Sequence, residues 1–184
     1  MVFLYFCAVK IKNVFMQRNI IKSALYNFHF VGLLLSLKFI LAAQKNTAIA
    51  SLSLFVSISI IFVLYRMAVH FRETEYGGIM KFGQAFKYVF LIYFFASIVS
   101  SVVIFIYTNF IDKFFLDLSL DYLMKMYDGF KYPVDDKTYA VFQSIYKPAP
   151  YASFNLFMSL LSGGFWGLIL AGFIKKDKSI FSQQ

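Results

Sequence analysis

The chain has 184 residues, of which 60% are hydrophobic and only 15% charged, and its mean hydropathy is +0.69. Soluble domains average about 45–50% apolar and about 25% charged residues, so a disordered chain, a soluble enzyme of ordinary composition and a disulfide scaffold are excluded. The net charge of +9 sits mostly at the ends of apolar runs, the pattern of membrane orientation and not of a nucleic-acid stripe, so no nucleic-acid partner is expected.

Residues 1–9 are apolar but too short to span a bilayer, and they lack the basic lead and small-residue cleavage site of a signal peptide. Met16, just ahead of Gln17-Arg18-Asn19, offers an alternative start, and 1–23 reads as a cytoplasmic N-terminal segment. Cys7 is the one cysteine, so no intrachain disulfide can form.

Four apolar runs follow, at about 24–43, 47–68, 88–108 and 153–174. Each supplies the roughly 20 residues that a helix rising 1.5 Å per residue needs to cross about 30 Å of hydrocarbon. None alternates as a barrel strand would. The predicted fold class is therefore all-α: one membrane domain over 24–174, a bundle of four transmembrane helices, followed by a basic tail at 175–184. Short segments on one side collect 11 Lys and Arg, which places both termini in the cytoplasm.

The loop at 109–150 holds six of the nine acids. Its first half predicts one extra amphipathic helix, with Ile111, Phe114, Phe115, Leu118, Tyr122 and Met126 on the apolar side. Asp128-Gly129 should end it, and Pro133, Pro148 and Pro150 should leave an irregular return.

Ser159, Gly163, Gly167 and Ala171 recur every four residues on one face of the fourth run, and Gly32 with Ser36 repeats the spacing in the first. Small residues let helix backbones approach closely, either within the chain or against a membrane partner. Similar pairs occur at Ser53 and Ser57, Ala96 and Ser100, and Ser97 and Ser101. Lys38 is an ionisable residue inside a span, either a pathway residue or a snorkelling one, and no run carries an Asp or Glu to pair with it. Arg66, His70 and Arg72 form a basic cluster after the second run, read as a head-group contact or interfacial anchor. His29 and His70 are a pair without further ligands, so neither metal nor cofactor is expected. No P-loop, nucleophile elbow, H-E-x-x-H or C-x-x-C occurs, and no catalytic residue is assigned.

Three stretches carry a resemblance: Gly32-Leu33-Leu34-Leu35; Tyr65-Arg66 followed by Gly78-Ile79-Met80-Lys81-Phe82-Gly83-Gln84-Ala85-Phe86; and Ile106-Tyr107-Thr108-Asn109-Phe110-Ile111-Asp112. With the four-span layout they resemble a family of uncharacterised bacterial membrane proteins over roughly residues 20–176. In that family the aspartate is often followed by proline; here Lys113 follows. The resemblance implies a cytoplasmic (inner) membrane location and an envelope role without an established activity. The expected function is a non-catalytic accessory or scaffold protein of an envelope complex, docking through small-residue helix faces to a membrane protein or a second copy. The alternatives are an oligomeric small-solute or ion transporter and, further off, an enzyme of lipid-linked sugar chemistry.

Overall fold

The computed structural model describes residues 2–130 and 134–176, with side chains from Ile20 onward. Its elements are α1 (Val2–Ala42), α2 (Thr47–Tyr76), α3 (Phe82–Ile106) continued by a π-helical turn (Tyr107–Ile111), α4 (Phe115–Gly129), α5 (Asp136–Ile145) and α6 (Pro148–Ile174). Four stretches are long and apolar enough to cross a membrane: Ile20–Ala42, Thr47–Tyr76, Phe82–Ile111 and Pro148–Ile174. The chain is an all-α, multi-pass membrane protein. The side-chain setting of Met16 and the tail beyond Lys176 lie outside the described residues.

The helix ends correct the sequence reading. α1 is continuous from Val2 to Ala42, about 60 Å by helical rise, so its spanning stretch Ile20–Ala42 is the second part of a longer helix. α2 starts where the Asn46 side chain accepts from the Ala48 amide at 2.9 Å. It runs beyond the expected end at residue 68 and stops at Gly77 and Gly78, whose φ values of 59° and 85° suit only glycine comfortably. α3 begins before residue 88 because Gln84 Oε1 accepts from the Lys81 amide at 3.0 Å and caps the helix there.

The return expected to be irregular is mostly helical, giving two short helices where one was predicted. Asp135 caps α5 by accepting from the Thr138 amide at 3.2 Å. Pro148 opens α6, since a proline in the first turn lacks only an amide hydrogen that the helix would leave unpaired.

The apolar face assigned to α4 packs only in part: Phe115 meets Phe39, Tyr107 and Tyr151, and the rest of that face is exposed. Leu116 and Leu120 are its buried residues, whereas Phe114, Leu118, Tyr122 and Met126 point outward. In a membrane setting an outward apolar stripe meets lipid at no solvation cost, so the stripe alone does not tell inside from outside.

α3 is the centre of the bundle. α1 and α6 pack on it from two sides and scarcely touch each other, while α2 leans mainly on α1. One end of the bundle is closed. There Phe71 of α2 stacks on Tyr88 of α3, with centroids 4.1 Å apart and planes 3° from parallel. The Tyr88 hydroxyl meets Asn27 Nδ2 at 3.2 Å and Ser23 Oγ at 3.4 Å on α1. The Met80 and Lys176 backbones exchange two hydrogen bonds, of 3.1 and 3.0 Å, so the lead into α3 pairs with the exit from α6. The opposite end, where α1 meets α2 and α4 lies, is open.

Candidate functional site: a cleft at the open end

Most of the small-residue faces are used inside the chain. A Cβ added at Gly163 would lie 2.6 Å from Tyr93 Cδ1, and one at Gly167 would lie 3.3 Å from the Phe86 ring. Ala171 is fully buried on the same face. Gly32 faces Val99 and the Ala96 carbonyl, with 3.3 and 3.5 Å left for a Cβ. Ser36 is buried, and its hydroxyl donates to the Gly32 carbonyl at 2.8 Å. These glycines therefore seat α1 and α6 on α3. Ser159, at the outer end of the α6 stripe, leaves that contact and lines a cleft.

The basic cluster separates. Arg72 donates from Nη1 to the Ile174 carbonyl at 2.8 Å and from Nη2 to Glu73 Oε1 at 2.6 Å, so it closes the end of the bundle. Arg66 and His70 are exposed, and so is His29 on α1. Among the described residues no three His, Cys, Asp or Glu side chains gather into a metal site.

Lys38 stands at the edge of the cleft, which holds about 500 Å³. α1 contributes Leu35, Lys38 and Phe39 as one wall, and α6 contributes Tyr151, Asn155, Met158, Ser159 and Ser162 as the other. Tyr93 and Ser100 of α3 form the floor, and Phe115 and Ser119 of α4 cross the end. The cleft exists because α1 and α6 flank α3 without packing on each other. Tyr93 hydrogen-bonds Ser162, and Ser119 donates to the Phe115 carbonyl at 2.7 Å. No carboxylate lines it. A second hollow of about 660 Å³ shares Ala42, Ala43, Phe115 and Ser119 with it and is bordered by Lys45 and Asp112.

The π turn sets this end. Its wider ring brings the Asp112 amide to the Tyr107 carbonyl at 2.9 Å, and the chain then turns into α4. Tyr107, Phe39 and Phe115 meet edge to face at centroid distances of 5.5 to 6.1 Å, joining the turn to α1 and α4. The stretch 106–112 that carried part of the resemblance is this turn.

Sequence reading singled out Lys38 and Ser159, and saw Ser100 only as a packing residue. It missed Asn155, Ser162 and Ser119, which line the same cleft as Lys38. The available signal was Asn155, an amide in an otherwise apolar span, where polar side chains are costly without partners.

Residues 27–176 match the family model described as "Protein of unknown function (DUF4199)". No curated protein and no solved structure matches the chain.

Proposed function

As the chain belongs to the DUF4199 family, whose function is unknown, we propose from its geometry that it is a non-catalytic accessory protein of a bacterial envelope complex. Its contact is the half of α2 at 47–59, and the occupant is a transmembrane helix of a second protein. One observation carries this: over 47–59 α2 has no buried residue, although every other span is partly sunk in the bundle. Ile49, Leu52, Leu54, Phe55 and Ile58 are exposed there.

Small residues interrupt these apolar side chains. Ser57 donates to the Ser53 carbonyl at 2.8 Å, Ser59 to the Phe55 carbonyl at 2.9 Å and Ser51 to the Ala48 carbonyl at 2.8 Å. Their hydroxyls are satisfied within the helix, so another helix can approach without leaving a polar group bare. Docking through the span-four stripe is replaced by docking through the exposed Ser51 and Ser59, which flank Phe55 on one face of α2, since α3 covers Gly163 and Gly167. The location that goes with this reading is the inner membrane, with Arg72 and both termini in the cytoplasm. The basic residues Arg66, Arg72, Lys81 and Lys87 near the closed end support that orientation.

The test is a photo-crosslinker at Phe55 in native membranes, followed by mass spectrometry. A protein adduct in fixed ratio to the chain, lost in the Ser51→Leu, Ser59→Leu double variant, supports the reading. Adducts to lipid alone, or to a second copy of the chain, overturn it.

A further inference from the structure

The cleft at the open end has a chemistry that the docking reading does not use. Its polar lining is an ammonium, hydroxyls and one amide, brought together from four helices. Lys38 has no acidic partner among the described residues, and no carboxylate lines the cleft around it. The amide of Asn155 makes no hydrogen bond to another described residue. A lysine offers three donors and an asparagine amide two, and Ser100 and Ser159 add hydroxyls that can donate. Donors of this kind without a carboxylate suit an oxyanion with several acceptor oxygens.

The position of the cleft narrows the source of that anion. The span Ile20–Ala42 is 23 residues, about 34 Å by helical rise against about 30 Å of hydrocarbon. Lys38 lies about 6 Å below the end of α1, close to the boundary between hydrocarbon and head groups. The cleft opens sideways between two spanning helices that scarcely touch, with Lys38 and Met158 exposed at its edge. A molecule that enters from there comes from the bilayer. We infer that the cleft binds the phosphate head group of an anionic membrane lipid, with Lys38 and Asn155 donating to the phosphate oxygens and the acyl chains remaining between α1 and α6.

A snorkelling lysine on a basic protein would also attract anionic lipid, so the test must separate the cleft from general charge. The full chain is reconstituted in nanodiscs of phosphatidylcholine containing a minor fraction of spin-labelled phosphatidic acid or, in parallel, spin-labelled phosphatidylcholine. The motionally restricted fraction gives the relative association of the two lipids. The expected result is a preference for phosphatidic acid of about tenfold, the scale of one charge-assisted hydrogen bond. Lys38→Gln and Asn155→Leu should remove most of it, and Lys38→Arg should keep it. Ser159→Leu, which fills the cleft and leaves the charge unchanged, should also remove it. Lys113→Gln, an exposed charge outside the cleft, should have no effect. Helicity and a single elution peak establish that each variant is folded. A preference that survives Ser159→Leu and falls equally in Lys113→Gln overturns the inference, as does no preference in the unaltered chain. Displacement of the labelled lipid by inorganic phosphate overturns the lipid source and assigns the site to a soluble phosphate.

Discussion

The guanidinium of Arg72 donates to the carbonyl oxygen of Ile174 at 2.8 Å, so the last turn of α2 holds the last turn of α6. The final carbonyls of a helix have no partner within it, and a cation there also meets the negative end of the helix dipole. The Arg72 side chain is 13% exposed, whereas its ion-pair partner Glu73 is 51% exposed. Arg72→Met should therefore lower stability by about 1–2 kcal/mol. Glu73→Gln should change it by less than about 1 kcal/mol, because the acid is largely solvated. Equilibrium unfolding in mixed micelles measures both; equal losses would shift the stabilisation from the carbonyl to the ion pair.

Gly163 and Gly164 are adjacent and should respond in opposite ways. A side chain at Gly163 meets the Tyr93 ring at 2.6 Å, while one at Gly164 meets nothing within 4 Å. Gly163→Leu should destabilise the bundle by about 1–3 kcal/mol or more, the cost of overpacking a helix contact. Gly164→Leu should be close to neutral, since an added apolar side chain there reaches lipid. The thermal midpoint of the detergent-solubilised chain discriminates the two. It also shows why a leucine at Gly163 cannot serve as a test of partner docking: the contact it breaks first is internal.

The parts of this fold legible in the sequence are those that depend on one helix at a time. Four apolar runs of spanning length, uninterrupted by acids, fix four transmembrane helices, and the glycine spacing marks where two of them come close. What was not legible depends on which face turns inward. Leu116 and Leu120 are buried on α4 although Phe114, Leu118, Tyr122 and Met126 form the more continuous stripe. In water the larger stripe would go inside, but in a bilayer both faces are acceptable, so stripe continuity does not decide which face is buried. The cleft was hidden for a related reason. Lys38, Ser100, Ser119 and Asn155 lie on four different helices, and no spacing in the chain connects them. The α5 cap at Asp135 was missed because three nearby prolines suggested an irregular return.

That cap carries a pH dependence. The Thr138 hydroxyl and amide hold the Asp135 carboxyl below the usual aspartate range, because both donate to its charged form. A lowered folded value means that the cap contributes above the unfolded pKa and is lost as pH falls through the folded one. α5 should therefore be capped at neutral pH and fray only in strong acid. Asp135→Asn should cap equally well without titrating, since asparagine is an equivalent N-cap. The Thr138 amide chemical shift followed by NMR from neutral to acid checks this. A step at the ordinary aspartate value in the native chain, or the same step in the variant, would remove Asp135 as its cause.

Tyr88 joins three helices by two different interactions, and substitution can separate them. Its ring stacks on Phe71 of α2, and its hydroxyl meets Asn27 and Ser23 of α1. Tyr88→Phe retains the stack and removes the hydroxyl, so it should cost about 0.5–1.5 kcal/mol. Tyr88→Leu also loses the stack and leaves a space in a fully buried position, so about 2–4 kcal/mol is expected. Combining Tyr88→Leu with Phe71→Leu should give less than the sum of the single losses, by about 1 kcal/mol, since the ring pair is lost with either substitution. Additive losses would mean that the two rings contribute through burial alone. The closed end would then rest on the Tyr88 hydroxyl with Asn27 and Ser23, on Arg72 and on the Met80–Lys176 backbone pair for its specific contacts, and Tyr88→Phe would remove the one of these that ties α3 to α1.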